Sequence, residues 1–117
     1  MEAVSTTALV RIEGELMSKV SVMGTLTCQD GKGDEMEQVL VSMVEAARGE
    51  PGVEVYSYHR GEDDTFWFFA LMTDAESMQR HGKSDAMQVA MAAFMPLAAG
   101  PPEMKMTKPV AAIGLDL

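Results

Sequence analysis

Three side chains in this sequence have the chemistry of a small-molecule site: His81, Tyr56 and Tyr58. A neutral imidazole can take a proton from a phenol near neutral pH, and its protonated form can donate to an oxyanion. His81 follows Met78 by one helical step, so it shares the inward stripe of that residue. Its competing role is structural, closing a short helix before Gly82. Tyr56 and Tyr58 share strand parity, and a phenol hydroxyl can orient a substrate oxygen. The competing reading for both is a packed aromatic whose hydroxyl finds a protein partner. His59 has the opposite parity and borders a turn, which points to the surface.

Metal chemistry finds little support. Cys28 is the only cysteine, which excludes an internal disulfide and a multi-cysteine metal site. It reads as a small packed filler. The chain has 12 methionines, and thioethers bind Cu(I). Met87, Met91 and Met95 repeat at four-residue spacing and Met104 and Met106 flank Lys105. No histidines or cysteines cluster with them, so helical spacing and core filling explain them, and no metal is expected. The acidic run Glu62-Asp63-Asp64 lacks the ligand spacing of a calcium loop and reads as a solvated turn.

These residues need elements to position them. Val20 to Cys28 is β-branched and partly alternating, a strand ending at a Gly-rich turn. Met36, Val39, Leu40, Met43, Val44 and Ala47 fall on one face of a helix from Asp34 to Arg48. Pro51-Gly52 breaks the chain. Val53 to Arg60 alternates as a strand, Gly61 to Asp64 turns, and Thr65 to Met72 is a nearly continuous apolar strand. The last two form a hairpin. Thr73 with Glu76 resembles a capping box for a short helix carrying Met78 and His81, interrupted at Gly82. Ser84-Asp85 opens another helical stretch with Met87, Ala90, Met91, Phe94, Met95 and Ala98 on its apolar stripe. Gly100-Pro101-Pro102 stops it. Glu103 to Val110 reads as the final strand.

The order β-α-β-β-α-β predicts an α+β, ferredoxin-like fold with helices on one face of an antiparallel sheet. On the third strand Trp67, Phe69 and Leu71 share one parity and Phe66, Phe68, Ala70 and Met72 the other. Large apolar residues therefore fall on the opposite face whichever way the strand turns, and an uncovered aromatic face calls for a partner. A second copy of the chain is the simplest one. A chain of 117 residues supports one core. Its net charge of -9 repels phosphate backbones and anionic lipid, so neither nucleic acid nor membrane is expected. No run is long enough to span a bilayer, and the first residues carry Glu2, Glu13 and Glu15 with no basic region before an apolar run. A cytoplasmic protein is expected. Residues 1–17 read as an N-terminal extension, in which Ala8 to Ile12 could form an edge strand or embrace a partner. Residues 18–117 read as the domain.

Glu50-Pro51-Gly52 followed by Tyr56, then Asp74, Ser77-Met78 and His81, with Ser84 and Gly100-Pro101-Pro102 beyond, resembles the antibiotic biosynthesis monooxygenase domains of the dimeric α+β barrel superfamily. The resemblance runs from about Val20 to Val110. It implies a homodimer whose two sheets pack into a barrel, with a pocket between sheet and helices in each protomer. It also implies cofactor-independent oxygenation of anthrones or quinols, in which a deprotonated, electron-rich substrate meets O₂ in a dry pocket. Haem-degrading relatives and a branch acting on sugar phosphates exist as well.

The sequence departs from the family pattern at several polar positions. Where anthrone oxygenases carry Asn and Trp on the third strand and Tyr on the second helix, this chain has Phe68, Met72 and Met78. Ala70 replaces a frequent Glu, and Ala86 a frequent His. The haem-degrading trio of Asn, Trp and His has no counterpart. With Phe68 and Met72 facing the pocket by this alignment, Trp67 faces the barrel. The expected site therefore has His81 as base or donor and Tyr56 as auxiliary donor. Its apolar wall is expected from Phe68, Ala70, Met72, Met78, Met91 and Phe94. The expected function is cofactor-independent monooxygenation of a small aromatic, quinol or anthrone-like compound. The alternatives are a non-catalytic binding or structural dimer of the same fold, and more distantly a haem-binding relative.

Overall fold

The computed structural model describes residues 18–117, and the extension at residues 1–17 lies outside the described residues. The chain runs β1 (Val20–Thr27), α1 (Gly33–Ala47), β2 (Val53–Arg60), β3 (Thr65–Met72), α2 (Ala75–Lys83), α3 (Asp85–Phe94) and β4 (Glu103–Thr107). The strands form one antiparallel sheet in the order β2-β3-β1-β4. This is the expected ferredoxin-like α+β arrangement. The β2–β3 hairpin has the expected bounds.

Register assigns the two faces. Val22 pairs with Ala70 and Met106, and Gly24 with Phe68 and Met104; Tyr56 and Tyr58 sit opposite Ala70 and Phe68 in turn. Directly paired residues share a face, so all of these belong to the helix-covered side. There Val22, Leu26, Phe66 and Phe68 pack with Met36, Leu40 and Met43 of α1 and Ala90 and Phe94 of α3 as one core. The other side carries Met23, Phe69 and Trp67. Trp67 is 56% exposed and Met23 41%, while Leu71 on the same face is buried.

Arg60 fastens the hairpin to the start of α1. Its guanidinium donates to Asp34 and Asp64, 2.9 Å in each case, and lies over the Phe66 ring. A Cβ at Gly33 would meet the ends of the Arg60 and Asp64 side chains, so a larger residue there would displace this ion-paired cluster.

Local detail departs from the sequence reading at four places. The N-cap of α2 is Asp74, not Thr73. Asp74 is extended and accepts from the Ser77 amide at 2.7 Å, whereas the Thr73 hydroxyl donates to Glu54. Gly82 does not interrupt the helix, which runs to Lys83. The break falls at Ser84, whose amide bonds the His81 carbonyl and whose hydroxyl accepts from the Met87 amide, so one residue ends α2 and starts α3. Beyond Phe94 the α-helix tightens into a 3₁₀ turn over Met95–Leu97 around Pro96, and this turns Met95 outward to 61% exposure. The last strand stops at Thr107, short of Val110; Pro109 has no N–H to continue a ladder.

Candidate functional site

Between the helix-covered face of the sheet and α1–α3 lies a cavity of about 280 Å³. β3 contributes Phe68 and Ala70, β2 contributes Tyr56 and Tyr58, α2 contributes Met78 and His81, and α3 contributes Met87, Met91 and Phe94. Met43 of α1 and Met104 of β4 complete much of the wall. Alternation along the strands and the three-to-four-residue repeat of the helices bring these side chains to one space.

The polar end is built from three elements. His81 is a buried ring on α2, and its Nδ1 lies 2.8 Å from Glu50 Oε2. Glu50 sits just before Pro51-Gly52, the turn entering β2. That turn brings Gly52 (φ +85°) against Ser77 of α2, where a Cβ would strike the Ser77 hydroxyl. Glycine at this position therefore serves both the left-handed backbone and the close approach that carries Glu50 toward α2. The Tyr56 ring meets the imidazole edge-on, with centroids 5.1 Å apart. The Tyr56 and Tyr58 hydroxyls are 2.8 Å apart, and the Tyr58 ring packs on Phe68. Ser84 holds the other side of His81, donating its hydroxyl to the His81 carbonyl at 2.9 Å.

The electrostatics follow from burial. Desolvation pushes the Tyr56 phenol above its ordinary value, opposed in part by the bond to Tyr58. Tyr58 is pushed up further, again chiefly by burial. Both therefore remain neutral hydroxyls, able to donate rather than to accept a proton from substrate. His81 Nε2 has no protein hydrogen-bond partner among the described residues, and it is not sealed from contact. The cavity thus combines an apolar wall, one basic nitrogen and one pair of phenol donors.

The structure brings His81, Tyr56, Phe68, Ala70, Met78, Met91 and Phe94 to this cavity. Met72 is not part of it. Met72 has the parity of Ala70 but lies two residues farther along β3, about 7 Å on, where it is fully buried opposite Val20 and Val53. Parity assigned its face correctly but not its distance along the strand. The sequence reading missed Glu50 as the partner of His81, and it left Tyr58, weighed as a donor or a packed aromatic, out of the expected site. Glu50 stood in the quoted Glu50-Pro51-Gly52 segment, but nothing local links it to a histidine 31 residues on. Met43, Met87 and Met104 also join the wall. The methionines divide: some line the cavity or core, Met95 and Met106 are largely exposed, and Met104 borders the cavity while remaining largely exposed. His59 is exposed beside Ser57, and Cys28 sits half-buried at an isolated bridge to Ala98. Among the described residues no cluster of three or more His, Cys, Asp or Glu could hold a metal ion. No helix among them is long and apolar enough to cross a membrane.

Fold and site together define a ferredoxin-like α+β domain with a closed-in apolar pocket beside the sheet. Residues 19–93 match the model of the antibiotic biosynthesis monooxygenase family, and the chain belongs to that family. A crystal structure from Caulobacter crescentus, described as a candidate antibiotic biosynthesis monooxygenase, is similar over 87% of this chain and 99% of its own, with 25% identity and a TM-score of 0.77. A Nitrosomonas europaea protein of unknown function, NE2512, is similar over 86% of this chain and 98% of its own, with 22% identity and a TM-score of 0.76. SnoaB, a cofactor-independent oxygenase from Streptomyces nogalater, is similar over 84% of this chain and 99% of its own, with 17% identity and a TM-score of 0.73. At such identities the last two likenesses bear on the fold alone. No curated protein matches the sequence.

Proposed function

We propose that this protein is a cofactor-independent monooxygenase for a small quinol- or anthrone-like aromatic compound. One observation carries the reading: an imidazole with one nitrogen bound to a carboxylate and the other without a partner among the described residues sits in the wall of an apolar cavity. The cavity is near the lower end of ordinary ligand sites, which run from ~300 to ~1,000 Å³, and this suits a flat, neutral ring system. The family is named for monooxygenases, and SnoaB is an example of this fold hosting cofactor-independent oxygenation.

His81 Nε2 would take the substrate proton, leaving an electron-rich anion that the apolar wall does not solvate. The anion transfers an electron to O₂, the two radicals combine, and the resulting peroxide loses water as the new carbonyl forms. The imidazolium protonates the terminal peroxide oxygen; the second C–H bond then loses its proton as the carbonyl forms, the O–O bond breaks, and the departing hydroxide leaves as water with that proton. The balance is RH₂ + O₂ → R=O + H₂O, with two electrons from the first C–H bond, as the anion pair, and two from the second. Tyr56 and Tyr58 together supply a hydrogen bond to the substrate oxygen.

A second copy of the chain covers Met23, Trp67 and Phe69 in this reading, because exposed aromatic area on a central strand is costly in water. Sedimentation velocity tests it, with Trp67→Glu expected to give a monomer. Among the described residues the cavity lining holds no lysine or arginine to pair with the carboxylates of a haem, which disfavours haem as the ligand. A binding protein without chemistry is the second reading, favoured by the apolar Phe68, Ala70 and Met78 in the wall. Oxygen uptake with hydroquinones and anthrones separates the two. Uptake that His81→Ala abolishes is the expected result; no uptake above that variant overturns the oxygenase.

A further inference from the structure

We infer that Glu50 is the positioning residue of this site: it holds His81 in the Nδ1–H form, so that the bare Nε2 is the nitrogen a ligand meets. The inference builds on the reading of His81 as the base, but its main readout needs no turnover. A carboxylate can only accept, so the 2.8 Å contact between Glu50 Oε2 and His81 Nδ1 requires a proton on Nδ1. In the neutral ring Nε2 then carries the lone pair. With Nδ1 bare instead, its lone pair would face the carboxylate and Nε2 would be a donor, unable to take a proton.

The surroundings restrict the ring further. His81 is 6% exposed, and Glu50 keeps a side-chain exposure of 20%. The carboxylate thus stays partly hydrated while it faces a buried imidazole. Edge-on contact with Tyr56 limits rotation about the ring's own bond to Cβ. The Ser84 hydroxyl on the His81 carbonyl anchors the backbone beneath. When Nε2 takes a proton, Glu50 is already in place to face the imidazolium charge, so little reorganisation accompanies the step. Glu50 does not line the cavity and does not reach a ligand; its action passes through His81.

Imidazole ¹⁵N spectra of the full chain, recorded where the rings are neutral, decide the matter. The protein has two histidines, and exposed His59 serves as the internal reference. His81 should show a protonated Nδ1 and a bare Nε2 in the native protein. Glu50→Gln should keep this pattern, since its amide oxygen still accepts, and Glu50→Ala should lose it. A native His81 protonated on Nε2, or a pattern unchanged in Glu50→Ala, overturns the inference. With a quinol that is turned over, Glu50→Gln should lower kcat by roughly 10- to 100-fold, no more than the low end of the ~10²–10⁴ a positioned base contributes, and leave KM nearly unchanged. Unaltered kcat in both folded variants would also overturn it. A native protein that oxidises nothing but shows the expected tautomer removes the oxygenase reading and leaves the role of Glu50 standing.

Discussion

The hydroxyls of Tyr56 and Tyr58 lie 2.8 Å apart, bonded to each other across one face of a single strand. Two hydroxyls carry two protons, and one proton occupies the space between the oxygens. The pair therefore offers one donor to the cavity, not two. Burial raises both phenols above their ordinary 10.0, and Tyr58 the more strongly. A folded-state value above the unfolded one means that stability is complete below pH 10 and is lost as pH climbs toward the folded values. These are the only two tyrosines in the chain. Tyrosinate absorbance should therefore be absent from the folded protein past pH 10 and appear together with alkaline unfolding. A separate tyrosinate step near pH 10 in folded protein would show that the pair is open to solvent.

Met72 and Met91 should respond to truncation in opposite ways. Met72 is fully buried outside the cavity, so Met72→Ala is expected to cost about 2–5 kcal/mol. Met72→Leu, which conserves volume, should cost less than about 1.5 kcal/mol. Neither should change KM for a substrate of the proposed reaction. Met91 is half-buried in the cavity wall, so Met91→Ala should cost less stability and shift KM. Urea unfolding with parallel kinetics tests both, and a KM change in Met72→Leu would return Met72 to the site.

Asp74 and Thr73 give a test of where α2 begins. The Ser77 amide holds the Asp74 carboxyl below its ordinary value. A lowered folded-state value gives stability that is present at neutral pH and is lost as pH falls below the ordinary carboxylate range. Asp74→Ala should lower the urea midpoint at unchanged slope and flatten this acid dependence. Thr73→Ala should leave the Asp74 contribution to this acid dependence in place, because its hydroxyl bonds Glu54 and not the helix. The reverse pattern would restore the capping box at Thr73.

Much of the fold is legible in the chain itself because alternation and helical repeat are local. The period of two over Val53–Arg60, the apolar run over Thr65–Met72 and the stripe of Met36, Leu40 and Met43 specify elements and inward faces without reference to the rest of the molecule. That logic also put Met78 and His81 on one stripe and Tyr56 and Tyr58 on one face, while Phe68 was selected through the family resemblance. It is weaker at element ends, where a single hydrogen bond decides between Thr73 and Asp74.

Tertiary structure decided which selected side chains meet. Placing β1 between β3 and β4 brings Met104 to the same cavity as Phe68. The same arrangement leaves Met72 beyond the cavity's end. The partner of His81 was also settled at this level, since Glu50 belongs to a turn whose position depends on Gly52 packing against Ser77. Sequence periodicity determines the direction of a side chain from its own backbone. Distance between two side chains depends on how separate elements stack, and that is set by the packing of the whole core.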